Sequence, residues 1–437
     1  MQDKPMASKR IPHVLVVGGG VAGLEIATQL GSRRTRSRRI HVTLLDADSA
    51  HVWKPMLHTI AAGTRDVHQQ QVAYAAQARS AGFVYQPGAM CGLDRQRREV
   101  VVAPLVLPDG RVLLPGRRVP YDALVLAVGS QSNDFGTPGV AAHCHAIDSR
   151  TQADDFNREL RIHLFQAMAD RTDLRIGIVG GGATGVELAA ELVQSAQALE
   201  SYGAGDMAVR ITVSLIESAD RLLAAFPRDI AQAVRRRLES LGIQVRTGAN
   251  VASAEPEGFR LEGGERIPAT LKVWAAGVKA PDFLRELDGL ETGKNNQVAV
   301  SATLQTTRDP AIFAVGDCAS LQLPGMQRPL PPTAQVAHQH ASHLVRHLPD
   351  WLGGKPMPAF TYRNFGSLVS LAQYDAYGSL GKFGLFRGAS IRGRLAQLSH
   401  AFLYRAHQSR LHGFGKGGLL WLVDRLNTRV RPSIRLD

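Results

Sequence analysis

Cysteine is scarce: Cys91, Cys144 and Cys318 are the three in 437 residues, and no two share a Cys-x-x-Cys spacing. Neither a disulfide framework nor a zinc site is expected, no other metal centre is indicated, and reduced thiols in a cytosolic setting are the natural reading. Long apolar runs are missing as well. No stretch approaches the roughly 18 uncharged apolar residues that a bilayer-crossing helix needs, so any membrane contact is expected to be peripheral. The first ten residues are polar and lack the apolar core of a signal peptide, so export is not expected. Repeats of about 20–50 residues and low-complexity tracts are absent, which removes solenoid and disordered classes.

Acidic residues are in deficit, 38 Asp and Glu against 51 Lys and Arg, for a net charge of +13. Such an excess points to an anionic partner. Its location is informative: ten Lys or Arg lie between Arg387 and Asp437 against only Asp424 and Asp437. This basic tail has no recognised nucleic-acid motif, so nucleic acid is not the expected partner. A second basic run, Arg33, Arg34, Arg36, Arg38 and Arg39, reads as a solvated loop. The length suggests two or three compact units. An apolar fraction of 44% and a charged fraction of 20% suit a folded protein.

What is present is a repeated nucleotide-binding pattern. The apolar run HVLVV (13–17) predicts a buried strand, followed by a glycine turn with Gly18, Gly20 and Gly23, a helix to about Leu30 and a second strand over 41–45. The first glycine makes the tight turn, the second lets the backbone approach a pyrophosphate and the third lets the helix pack on its strand. Asp46 ends the second strand, where an acid binds ribose hydroxyls. The arrangement recurs: RIGIV (175–179), Gly180, Gly182 and Gly185, a long helix from about Val186, and a strand over 209–216 followed by Glu217. The gap to Glu217 is long, and residues 201–207 read as an inserted loop. A carboxylate there accepts hydrogen bonds from the free 2′-hydroxyl of NADH and repels the 2′-phosphate of NADPH. Finally IFAV (312–315) leads into Gly316 and Asp317. An Asp at such a strand end can hydrogen-bond the ribityl chain of a flavin. Together these features predict FAD on the first fold and NADH on the second. The expected class is α/β, with two Rossmann-type domains and a basic amphipathic C-terminal region. The expected division is 1–150 and 299–350 for FAD, 151–298 for NADH and 351–437 for membrane association.

With these residues in place, the chain resembles the type II NADH:quinone oxidoreductases nearly end to end. The likeness is carried by VVGGGVAG (16–23), WKP (53–55), IVGGGATGVE (178–187), VWAAGVKAP (273–281), AVGDCA (314–319), AQVAHQ (334–339) and GSLVSL (366–371). The resemblance implies non-covalent FAD, hydride transfer from NADH to the flavin, and reoxidation by a membrane quinone without proton pumping. It places Glu187 near the nicotinamide and flavin, Gln335 and Gln339 in the quinone pocket, and Ala276 and Gly277 beside NADH. Lys54, Gly129, Ala334 and Gln335 join the cofactor-binding positions. His340 receives no role. The implied location is the cytoplasmic face of the cell membrane, with a homodimer as an admissible assembly.

Physical expectations follow. A helix starting at Ala334, capped by Thr333 and preceded by Pro331 and Pro332, would turn its N-terminal N–H groups on developing negative charge. Glu187 has two open readings: a carboxylate that stabilises the first turn of its helix, or a group that contacts nicotinamide or relays a proton. Leu395, Leu398, Phe402 and Leu403, then Leu411, Phe414, Leu419, Leu420, Trp421 and Val423, are spaced for helices lying in an anionic membrane surface; packing on the protein's own core is the alternative. Disulfide reductase chemistry lacks its closely spaced cysteine pair. A sulfide:quinone oxidoreductase using Cys144 and Cys318, and a non-enzymatic anion-binding redox sensor, remain as alternatives.

Overall fold

The computed structural model describes residues 10–32, 40–65, 71–201, 210–372, 374–380, 382–383, 386–387 and 390–430. The basic run at 33–39, residues 202–207 of the expected loop, and Arg431, Arg435 and Asp437 lie outside the described residues. So do the side chains of Leu395, Leu398 and Phe414. The chain forms two compact units. One comprises the described residues of Met1–His51, Val72–Ser130 and Lys279–Tyr362; the other comprises those of Val52–Gln71, Gln131–Val278 and Arg363–Asp437.

In the first unit, short apolar runs make a five-stranded parallel sheet. Its order is Ile312–Ala314, Ala123–Leu126, His13–Val17, His41–Asp46 and Val84–Pro87. Leu15, Leu44, Leu45, Leu124, Leu126 and Phe313 are fully buried, as a sheet covered on both faces requires. Each such side chain contributes about 1.5–3 kcal/mol of burial. Helix Val21–Gly31 follows the first strand and packs on helix Ala334–Leu352. The Thr333 hydroxyl accepts the Val336 N–H at 3.3 Å, so the expected N-cap is in place.

The second unit repeats the plan with four parallel strands in the order Gln244–Thr247, Ile211–Glu217, Leu174–Val179 and Leu271–Trp274. Its helix Ala183–Ser201 begins three residues before the expected Val186. Gly185 has no side chain to keep the first turn off the strand. Helix Arg150–Asp170 starts on a capping box: Ser149 accepts the Gln152 N–H, and the Gln152 side chain accepts the Ser149 N–H.

The chain crosses between units elsewhere than at the expected 150, 298 and 350. Apolar contacts decide this. Leu57, Ile60 and Ala61, from a segment expected with the first fold, share a core with Phe156, Leu160, Val186 and Leu188 of the second. Val369, Leu371 and Tyr377 of the C-terminal sheet join the same core, so residues 363–437 do not stand apart as a region of their own. Residues 279–298 belong to the first unit, where Asp288 accepts the Arg95 N–H at 2.7 Å.

The C-terminal helices Arg394–His412 and Phe414–Val430 differ in kind. The first packs on strands Gly366–Leu371 and Asp375–Leu380, and its Tyr404, His407 and Leu411 are buried. Leu411 is therefore core rather than membrane-facing, while Phe402 and Leu403 are exposed. The second exposes Leu419, Leu420, Trp421, Leu422, Val423 and Leu426 together. Among the described residues no helix is long and apolar enough to cross a membrane.

Replacing Ser149 with Ala leaves the helix's N-terminal N–H groups without their cap. Chemical denaturation is expected to show a loss of about 1 kcal/mol, with binding at the first glycine turn unchanged.

Candidate functional site

Both glycine turns are built by the same collisions. Gly18 and Gly180 have φ of +97° and +116°, and a side chain on either would strike the backbone of the strand beside it, at Ala127 and Ala275. A Cβ on Gly23 would run into the Gly18 carbonyl oxygen, and one on Gly185 into the Gly180 oxygen. The first and third glycines of each turn are thus demanded by the fold. The second is not. Around Gly20 the nearest atom to a Cβ is 3.9 Å away, and around Gly182 nothing lies within 4 Å. Gly20 also has an ordinary φ of −66°. Open space where no backbone need exists is what a pyrophosphate requires. Helix Val21–Gly31 has no side-chain cap on its first N–H groups, which leaves that end suited to an anion.

The strand-end acids are also equivalent. Asp46 accepts the N–H groups of Gly19 at 2.5 Å and Asp48 at 2.7 Å; Glu217 accepts those of Gly181 at 2.6 Å and Ala219 at 2.7 Å. Burial pushes the Asp46 carboxyl above its usual range, against the pull of those two amides. Each carboxylate holds its turn through two backbone N–H groups.

Elsewhere in the first unit, Asp317 sits in the turn Gly316–Cys318 and accepts the Ser130 hydroxyl at 2.7 Å, beside Gly129, where a Cβ would meet nothing within 4 Å. His340 does have a structural part: its Nδ1 accepts the Gly316 N–H at 3.1 Å. Ala334 and Gln335 form the first turn of the Thr333-capped helix, and Gln335 Oε1 accepts the Tyr362 hydroxyl at 2.9 Å. Gln339 lies one turn further on.

In the second unit, Glu187 is buried in the first turns of helix Ala183–Ser201. Its Oε1 accepts the Ser370 N–H at 2.9 Å and its Oε2 lies 3.5 Å from His58 Nδ1. Burial raises its pKa to about 8. Glu191, one turn along, is also raised by burial and accepts the Thr64 hydroxyl at 2.6 Å. Ala276 accepts the Asn133 N–H at 3.3 Å, and a Cβ on Gly277 would enter the Phe135 ring. Lys54 Nζ is 3.9 Å from Asp148 Oδ1.

A family model for pyridine nucleotide-disulphide oxidoreductases matches residues 12–341. The chain is 40% identical over 444 residues to a type II NADH:quinone oxidoreductase of Haemophilus influenzae, covering 97% of this chain and 99% of that one. The chain belongs to the type II NADH:quinone oxidoreductases. Its fold matches NDH2 of Plasmodium falciparum solved with NADH, at a TM-score of 0.82 and 18% identity over 98% of this chain and 100% of that one. It also matches a sulfide:quinone oxidoreductase of Aquifex aeolicus, at 0.70 and 18% over 96% of each. The fold is therefore shared by both quinone reductases, and the close sequence relative separates them.

The thiols of this type II enzyme agree. Burial pushes Cys144 up to about 12 and Cys318 up to about 11, so both are protonated and weakly nucleophilic near neutral pH. The buried Cys318 Sγ lies 3.4 Å from the Leu126 carbonyl oxygen, as a packed residue does.

Sequence reading missed the groups behind the first turn. His51 and Tyr74 both reach the Gly19 carbonyl, and buried Glu25 pairs with His338 Nδ1 at 2.6 Å. Glu25 stands in the helix after the first glycine turn and His338 in AQVAHQ, so an acid in an otherwise apolar helix was an available signal; His51 and Tyr74 offered none.

Alanine separates the glycine roles. Gly20→Ala is expected to fold and loosen FAD, and Gly182→Ala to fold and raise the KM for NADH; Gly185→Ala, colliding with a backbone carbonyl, is expected to lower the yield of folded protein. Equal behaviour of Gly182→Ala and Gly185→Ala in folding and binding assays would remove this assignment.

Proposed function

We propose that Glu187 holds the proton that completes quinone reduction in this enzyme. The chain oxidises NADH and passes the electrons through FAD to a quinone. When bound, FAD supplies the two-electron chemistry, accepting hydride from NADH and returning the pair to the quinone. A quinone takes up two electrons and two protons; the hydride brings two electrons and one proton, so one more proton must come from protein or solvent. Gly18, Gly20, Gly23, Asp46, Gly129 and Asp317 would hold FAD, with Ala334 and Gln335 at the helix N-terminus turning N–H groups to its ring. Gly180, Gly182, Gly185, Glu217, Ala276 and Gly277 would hold NADH, with Lys54 among the cofactor contacts. Gln335 and Gln339 would face the quinone.

The observation that supports the Glu187 role is its burial with a pKa raised to about 8. A carboxyl that keeps its proton at neutral pH has little charge to offer the helix dipole, which disfavours the purely structural reading. Below about 8 the wild-type group carries its proton, and above it the proton is lost. Turnover with a short-chain quinone should therefore fall as pH rises through about 8. Glu187→Gln should lower turnover by about 10²-fold and abolish that limb. Linkage supplies a second readout. The folded pKa lies above the unfolded 4.5, so stability is full below the unfolded value and declines as pH rises through about 8. Relative to wild type, the Gln variant should gain thermal stability from pH 6 to pH 9. Unchanged turnover across pH would end the proposal.

Peripheral docking on the anionic cytoplasmic face of the cell membrane belongs to the same reading, with helix Phe414–Val430 as the inserted element. Leu419, Trp421 and Leu426 are 63%, 45% and 54% exposed, and Arg425 stacks on Trp421 at 5.4 Å. Arg405 pairs with Asp424 at 2.8 Å, which cancels the acid on that helix among the described residues. A homodimer is compatible with the exposed Ile162 and Phe165 on helix Arg150–Asp170. A chain ending at Gly413 keeps the buried Tyr404 and His407. It is expected to keep NADH oxidation with a short-chain quinone and to stop sedimenting with anionic vesicles. Continued sedimentation at low salt would count against this helix.

A further inference from the structure

Both backbone polar groups of Gly19 in the first turn are held by side chains. Its N–H donates to Asp46 at 2.5 Å. Its carbonyl oxygen accepts two side-chain donors, the His51 Nδ1–H at 2.9 Å and the Tyr74 hydroxyl at 2.9 Å. A carbonyl oxygen only accepts, so the His51 proton must sit on Nδ1 in this contact. Burial lowers the His51 pKa to about 4, which keeps the ring neutral at physiological pH. Both side chains are buried, at 3% exposure each. A Cβ on Gly19 would penetrate the Tyr74 ring, so only glycine lets this hydroxyl come so close. The Tyr74 hydroxyl also stands against the Asp46 carboxyl.

The Gly19 carbonyl and the Gly20 N–H belong to one planar trans peptide and point in opposite directions. Drawing the carbonyl back towards His51 and Tyr74 therefore turns the Gly20 N–H the other way, at the position where a side chain would meet open space. The second turn meets the same need without side chains: the Gly181 carbonyl accepts the Leu223 backbone N–H at 2.8 Å. We propose that His51 and Tyr74 are positioning residues for FAD, fixing the Gly19–Gly20 peptide so that its N–H is preset for the pyrophosphate. The retention of FAD thus depends on two side chains remote from the turn in sequence, whereas the matching carbonyl of the second turn, that of Gly181, is held by a backbone N–H.

The inference rests on the assignment of FAD to the first turn, which Gly20→Ala tests separately. The experiment follows release of FAD from the holoenzyme by its fluorescence, with NADH affinity and the thermal stability of the FAD-stripped protein measured beside it. One hydrogen bond spans roughly a two- to tenfold effect. His51→Leu and Tyr74→Phe should each speed release by about that factor, and the double variant by more than either. His51→Asn, whose amide places an N–H near Nδ1, should restore retention. NADH affinity should not change. Wild-type retention in His51→Leu, or release from His51→Asn as fast as from His51→Leu, would overturn the inference. So would a stability loss that is the same with and without FAD. Normal retention in Gly20→Ala would instead remove the FAD assignment.

Discussion

The structure depends on one close approach made twice: the third glycine of each turn lies against the carbonyl of the first, at Gly23 on Gly18 and at Gly185 on Gly180. Neither contact admits even a methyl group. Each brings the start of a helix against the end of its strand, so unpaired N–H groups gather beside an acid at the next strand's end. Asp46 and Glu217 then bind the turns through the Gly19 and Gly181 amides.

Several polar side chains hold fixed backbone groups. Asp46, His51 and Tyr74 satisfy fixed backbone groups, and His340 does the same for Gly316. Glu187 has a weaker hold: one backbone N–H and a 3.5 Å contact with His58. Burial therefore dominates its titration, and the carboxyl stays protonated where an exposed glutamate would not.

The parallel strands were legible because a strand covered on both faces needs an unbroken apolar run, as VLVV at 14–17 and the runs at 175–179 and 312–315 supply. The glycine spacing and strand-end acids were legible because they are local. The assignment of segments to units was not, since Leu57 and Ile60 bury against Phe156 and Leu160 about a hundred residues away. The C-terminal helices show the same limit: similar spacing of apolar residues precedes burial of Leu411 and exposure of Leu419.

By itself the sequence determined two glycine turns of the nucleotide-binding kind, their order, the acid at the end of the strand that follows each and the lack of a closely spaced cysteine pair, because each is written in neighbouring residues. The tertiary structure alone decided what surrounds them. It brought His51 and Tyr74 onto one carbonyl from 32 and 55 residues away, raised the Glu187 carboxyl and sorted one C-terminal helix from the other. Desolvation and hydrogen-bond geometry depend on what folds beside a residue, and no local spacing records that.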